Sequence, residues 1–208
     1  MLNRRHLLCA TLGLLGALSM GPAAAAEAPD AFVQKLSTEV MDAVKGDKAI
    51  QAGDVGRIRA LVDAKVMPLV NFPRMTSSAV GPQWRSASEE QRKRLMEEFK
   101  IMLVNTYSGA LTQVKDQTVQ LRPLRAQPTD TELVVRTEIK GRGEPIQLDY
   151  RLEKAGEAWK IYDVNVGGFW LVEAYKGQFQ KDLSVGGVDG LIARLAEKNK
   201  AAMAAPKS

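Results

Sequence analysis

Histidine and cysteine occur once each in this 208-residue chain, at His6 and Cys9, and both fall in a segment with the pattern of an export signal. Arg4 and Arg5 precede an apolar run from Leu7 to Met20, followed by Gly21-Pro22 and Ala24-Ala25-Ala26. This is the basic, apolar and small-residue succession of a cleavable leader. Cleavage is expected between Ala26 and Glu27, and the mature chain then has neither residue type. Lacking cysteine, it has no disulfide, thiolate nucleophile or thiolate metal ligand. Lacking histidine, it has no access to the commonest general base and metal ligand. Most catalytic and metal-binding designs are thereby excluded, and stability in an oxidising compartment must come from packing.

The leader's apolar run is short for a membrane span, and charged Glu27 and Asp30 follow it directly, which argues against a retained anchor. Cys9 stands at the start of that run rather than after it, the wrong place for a lipid anchor. Asn3-Arg4-Arg5-His6-Leu7-Leu8 resembles a twin-arginine signal, although paired arginines also occur in ordinary secretion signals; both routes lead to the periplasm. An excess of one charge is missing too. The chain has 29 basic and 24 acidic residues, and Arg4 and Arg5 leave with the leader, so the mature charge is +3. That small, scattered excess gives no footprint for nucleic acid. The 182 residues that remain suit one domain, expected over 27–200, with 201–208 as a mobile tail.

The first half of the mature chain has helical spacing of apolar residues, over 31–44 and 54–70, separated by a turn-like stretch 46–53. Asn71-Phe72-Pro73 ends the second helix, because the residue before proline is pushed from helical geometry, and a short third helix then opens with Phe72 and Met75. Ser88-Glu89-Glu90-Gln91 matches a capping box. From there Leu95, Phe99, Met102, Leu103, Thr106, Tyr107 and Ala110 form one stripe, with the charged residues largely elsewhere. After Asp116 the period falls to two, and strands are expected over 117–124, 131–140, 145–154 and 158–166 in an antiparallel meander. Gly141-Arg142-Gly143-Glu144 and Ala155-Gly156-Glu157 supply the turns. Folding about them sets Ile139 against Ile146, Val135 against Tyr150 and Leu133 against Leu152, then Leu152 against Trp159 and Tyr150 against Ile161. The opposite face, pairing Arg136 with Asp149, reads as wet.

Alternation fails in the last strand, where Asp163 and Asn165 occupy inward positions and Val164 and Val166 outward ones. A bulge near Tyr162-Asp163 would restore burial of the valines. A buried Asp163 with a raised pKa, acting as acid or base with Tyr150 or Tyr162, is the competing reading. Helices are expected over 169–183 and 188–198. Gly186-Gly187 between them lacks the spaced glycines and following Lys-Ser/Thr of a phosphate loop, and reads as a helix stop. Arg74, Arg85 and Arg92 are open to two readings, surface charge or contacts to phosphate or acidic partners.

Three segments, in order along the chain, carry a resemblance: Trp84-Arg85 with Glu89-Glu90-Gln91-Arg92 and Thr106-Tyr107; Trp159-Lys160-Ile161-Tyr162-Asp163-Val164; and Gly186-Gly187-Val188-Asp189-Gly190-Leu191-Ile192. Together they resemble the MlaC, or toluene-tolerance, family of periplasmic phospholipid-binding proteins. The resemblance implies an α+β fold in which N-terminal helices, a four-stranded or larger antiparallel twisted sheet (116–167) and C-terminal helices enclose an apolar lipid cavity. It further implies a shuttle for diacyl phospholipid, needing no cofactor, metal or catalytic residue and working as a monomer. Such a shuttle docks in turn on a lipoprotein–porin complex of the outer membrane and an MCE-domain ABC transporter complex of the inner membrane, and maintains outer-membrane lipid asymmetry. The candidate lining is Leu69, Phe72, Phe99, Met102, Leu103 and Tyr107 from helices, with Leu133, Val135, Leu148, Tyr150 and Ile161 from the sheet. For each, plain core packing is the competing reading. Gly167-Gly168-Phe169-Trp170 is bulkier than the resemblance leads one to expect, which bears on the cavity mouth. Two rivals stand beside the carrier: an exported acid–base enzyme using Asp163, and an adaptor whose apolar faces only build a core.

Overall fold

Helices precede a sheet and one long helix closes the chain in the computed structural model, which describes residues 27–204. The leader and the last four residues lie outside the described residues, and with them the expected cleavage site and the end of the expected tail.

Helix α1 (Pro29–Gly46) opens with proline in its first turn and an acidic Asp30 there, both suited to a helix start. The expected turn at 46–53 contains one helical turn, α2 (Lys48–Gln51), capped by Asp47, which accepts from the Ala49 and Ile50 N–H groups. The helix expected over 54–70 is broken. It runs as α3 (Val55–Leu61), widens into a π turn (Val62–Val66) and tightens into a 3-10 turn (Met67–Leu69). Pro68 explains this, since it has no N–H to donate and its ring collides with the carbonyl four residues back. Helix α4 (Phe72–Val80) follows with Asn71 as its cap, then the short α5 (Gln83–Ser86). Helix α6 (Glu89–Thr112) begins on the expected capping box, with Ser88 and Gln91 bonded reciprocally.

The sheet has six strands: β1 (Thr118–Leu121), β2 (Glu132–Val135), β3 (Thr137–Lys140), β4 (Ile146–Ala155), β5 (Ala158–Val166) and β6 (Phe169–Trp170). All paired strands are antiparallel, and β2 and β3 are one expected strand interrupted at Arg136, so the meander order holds. The first hairpin has the expected register at Ile139–Ile146, Val135–Tyr150 and Leu133–Leu152. In the second, Leu152 faces Ile161 and Lys154 faces Trp159, a two-residue displacement from expectation. The loop is only Gly156-Glu157, with Gly156 at φ 65°, the left-handed backbone that matches a tight hairpin to strand twist.

The bulge in β5 is present: Leu152 faces Ile161 but Arg151 faces Asp163, leaving Tyr162 as the extra residue. It does not bury the valines at the expense of the polar residues. Asp163 and Asn165 are buried and Val164 and Val166 half-buried. The supposedly wet face is also partly covered, for Thr137, Asp149, Asp163 and Asn165 are all buried. Asp149 accepts from the Thr137 N–H and the Gln147 amide, replacing the expected pairing with Arg136, which lies exposed outside either strand. Gly167 and Gly168, at φ 60° and 94°, turn the chain back so that Phe169 and Trp170 pair with Val166 and Asn165. These two residues form a strand where a helix start was expected. Helix α7 (Leu171–Ala204) then runs with a break at Gly187 (φ 61°), the expected helix stop, and continues into the segment read as tail.

Candidate functional site

Two apolar bodies meet over the inner face of the sheet. One is helical: Phe72, Met75, Leu95, Phe99 and Met102 from α4 and α6 pack with Val172, Phe179, Leu183, Leu191 and Leu195 from α7. The other joins Phe32, Val33 and Leu36 of α1 to Val135, Tyr150, Leu152, Trp159 and Ile161 of the sheet. Val70 and Val164 touch both, so they mark the seam.

The candidate lining divides along this seam. Phe72, Phe99, Met102 and Leu103 belong to the helical body. Leu69, Leu133, Val135, Leu148, Tyr150 and Ile161 belong to the sheet body. Phe99 and Val135 are fully buried, whereas Leu69, Leu103, Leu133 and Leu148 are half-buried at the margins. Tyr107 lies in neither body; burial, then the neighbouring Tyr175 hydroxyl, pushes its phenol up to about 12. Burial likewise pushes Tyr150 up to about 12. Both phenols are therefore neutral donors at physiological pH.

Phe99 sits at the centre of an aromatic group, 5.7 Å from Phe72 and 5.2 Å from both Tyr175 and Phe179 between ring centroids. Tyr175 and Phe179 were absent from the lining read in the sequence, although their four-residue spacing puts them on one helix face. Val70 and Val164 were missed because nothing local marks a residue that bridges two bodies. A cavity of about 340 Å³ opens between α6 and α7, lined by Met102, Asn105, Thr106, Tyr175, Gln178 and Lys198 among others. Met102 is the one candidate that reaches it.

The linker between α3 and α4 is stitched to β5. Val70 forms a bridge with Ile161, the Asn71 N–H donates to the Ile161 carbonyl at 2.7 Å, and the Lys160 ammonium reaches the Pro68 carbonyl. Arg74 pairs with Glu132 and Glu153 and lies 3.7 Å over the Tyr162 ring, and its guanidinium holds the Glu132 carboxyl below the usual range. Arg92 donates to the Trp84 and Arg85 carbonyls and lies over the Trp84 ring. Arg74 and Arg92 thus tie elements together, which also explains the Trp84-Arg85 and Arg92 spacing.

Asp163 is fully buried because it caps a helix. One carboxylate oxygen accepts from the Val172 N–H at 3.0 Å and the Val164 N–H at 2.9 Å, and the other from Arg151 at 3.0 Å. Arg151 in turn lies 4.1 Å over the Trp170 ring. Burial pushes the Asp163 carboxyl above the usual range, against the pull of those donors. The tyrosines of the acid–base reading are engaged elsewhere: Tyr150 in the sheet body, and Tyr162 donating to Glu132 at 3.1 Å.

The family model for the MlaC protein matches residues 34–197 of this chain. The chain belongs to the MlaC family. It is 26% identical over 204 residues to the toluene tolerance protein ttg2D of Pseudomonas putida, covering 94% of this chain and 95% of that protein. It is 24% identical over 179 residues to the intermembrane phospholipid transport system binding protein MlaC of Haemophilus influenzae, covering 84% of each. A solved phospholipid-binding protein from Ralstonia solanacearum, in complex with a phospholipid, superposes with a TM-score of 0.81 at 41% identity, over 84% of this chain and 98% of that one. Among the described residues no helix is long and apolar enough to cross a membrane, and no group of three or more His, Cys, Asp or Glu is placed to hold a metal ion.

Proposed function

We propose that this MlaC-family protein is a periplasmic phospholipid carrier, folded as a single domain over 27–200, that takes up diacyl lipid along the seam between its helical and sheet bodies. The observation that carries the reading is the Ralstonia relative, alike in fold and 41% identical, that holds a phospholipid. The acyl chains would part the two bodies, with Leu69, Leu103, Leu133, Leu148 and Tyr107 at the margins and Phe72, Phe99, Met102, Val135, Tyr150 and Ile161 deeper. Each buried methylene is worth about 0.8 kcal/mol, so two acyl chains in water cost on the order of 20 kcal/mol. A free lipid cannot cross an aqueous compartment at that cost. A donor bilayer is as apolar as the protein interior, so extraction gains little net energy and hand-off stays reversible. Direction then comes from partners: a lipoprotein–porin complex at the outer membrane and an ATP-driven MCE-domain transporter at the inner one, which together keep the outer membrane asymmetric.

The test is native mass spectrometry of mature protein purified from periplasm without detergent, with organic extraction of any ligand. Stoichiometric diacyl phospholipid is expected. An empty protein that also takes none from vesicles would overturn the reading.

A further inference from the structure

The apolar inner face of the sheet is longer than its helical cover. At the Leu152 level it is closed over, with Leu152 and Ile161 at 0% and 1% exposure. Towards the other end of β4 the cover thins: Leu148 and Val166 are half-buried, and Ile146 and Phe169 reach 51% and 73% exposure. Register makes these residues one surface. Leu148 faces Val166, Val166 faces Phe169, and Ile146 faces Ile139, which faces Val119. Facing residues on adjacent strands stand about 5 Å apart, and Ile146 lies about 7 Å further along β4 than Leu148. The result is a continuous apolar ledge that runs out from the sheet body and ends in an exposed phenylalanine.

Phe169 is held in place rather than trailing. The Gly167-Gly168 turn needs two left-handed residues, its Gly167 N–H donates to the Gln147 carbonyl at 2.9 Å, and the Asn165 carboxamide accepts from the Gly168 N–H at 2.9 Å. The β1–β3 side of the ledge, across the sheet from Phe169, is cationic. Arg142 cancels against Asp116, while Arg122 and Lys140 share Glu138, which leaves one positive charge in surplus. Lys45, whose ammonium reaches the Gln117 carbonyl, and Lys115 add to that surplus, with Glu144 the acidic residue against them.

An aromatic apex on an apolar row with a positive rim is the chemistry of a surface that settles into the headgroup layer of an anionic bilayer. We propose that the Ile146–Leu148–Val166–Phe169 ledge docks the protein directly on anionic phospholipid bilayers, with Phe169 entering the interface and Lys45, Lys115 and Lys140 meeting headgroup phosphates. The inference deepens the carrier reading and rests on it for its purpose: the ledge joins the bilayer surface to the sheet face over which an acyl chain would slide.

The experiment is co-sedimentation of mature protein with vesicles of phosphatidylcholine, with and without phosphatidylglycerol, at low and high salt. Wild type should partition onto the phosphatidylglycerol vesicles, more weakly at high salt. Phe169→Ser should lower partitioning about tenfold, and Lys115→Gln with Lys140→Gln should remove most of the salt dependence, all at an unchanged melting temperature. Equal partitioning of wild type and Phe169→Ser would overturn the proposal, as would a wild type that binds neither vesicle. Size-exclusion behaviour that changes in Phe169→Ser while vesicle binding does not would assign the ledge to a second copy of the chain instead. Mass spectrometry of the same preparations separates the two readings. Lipid-loaded protein that ignores vesicles refutes the ledge alone, and protein that binds vesicles yet is empty before and after that exposure refutes the carrier alone.

Discussion

Removing the Asp163 side chain should destabilise the protein without touching the apolar seam. In Asp163→Ala the Val164 and Val172 N–H groups lose their acceptor, and loss of a helix cap costs about 1 kcal/mol. Arg151 also loses its partner. Breaking a fully buried pair costs about 3–5 kcal/mol, but the Arg151 side chain is 32% exposed and can turn to water, so only a fraction of that applies. A total of about 2–4 kcal/mol follows, which for a domain of this size lowers the melting temperature by roughly 4–16 °C. Asp163→Asn should cost less than half as much, because its amide oxygen can still accept from both N–H groups and burial already favours a neutral group there. The folded pKa is raised, so wild type gains stability as pH falls through it, a gain complete below the unfolded value near 4. The advantage of wild type over Asp163→Asn should therefore grow between pH 7 and 4. The assay is thermal and urea unfolding of both variants across that range, with lipid content measured alongside. A melting temperature for Asp163→Ala within a degree of wild type would refute the capping role. A folded, lipid-loaded Asp163→Asn that lost a measurable turnover would revive the acid–base reading.

Leu148→Trp, which thickens a half-buried position at the edge of the sheet body, should lower retained phospholipid at unchanged circular dichroism; unchanged retention would remove Leu148 from the lining. Phe99→Ala should cost about 3–5 kcal/mol in urea unfolding, since the ring is fully buried among three aromatic neighbours; a loss below about 1 kcal/mol would mean the helical body is not packed as described. Arg74→Met should return the Glu132 carboxyl upward to its ordinary range, read by NMR titration, because Arg74 is the main cause of its depression. Asp47, held low first by Arg57 and then by the Ile50 N–H, contributes stability above its unfolded pKa that is lost as pH falls through the lower folded one; Asp47→Asn should therefore soften acid unfolding below about pH 4.

Local signals carried far where the physics is local. The Ser88–Gln91 capping box, the break before Pro73 and the Gly187 helix stop each depend on a few adjacent residues, and each appears where the chain alone places it. The first hairpin register follows from period-two alternation, because a one-residue slip would turn every apolar side chain to the wrong face. The scarcity of cysteine and histidine narrowed the chemistry to be expected of the chain, and three ordered motifs pointed to the family. Tertiary structure decided what depends on distant partners. Pro68 forced a wider turn that the docking of 67–71 on β5 then held. Alternation alone set Asp163 and Asn165 inward; the Tyr162 bulge puts them on the other face, beside Arg151 and Asp149, and the turn to β6 and the start of α7 supply N–H groups for their oxygens to accept. Whether an apolar side chain is core, seam or ledge is likewise set by how far the helices reach over the sheet. Alternation places Leu152 and Ile146 on the same face, and only the packed structure buries one and leaves the other half in water.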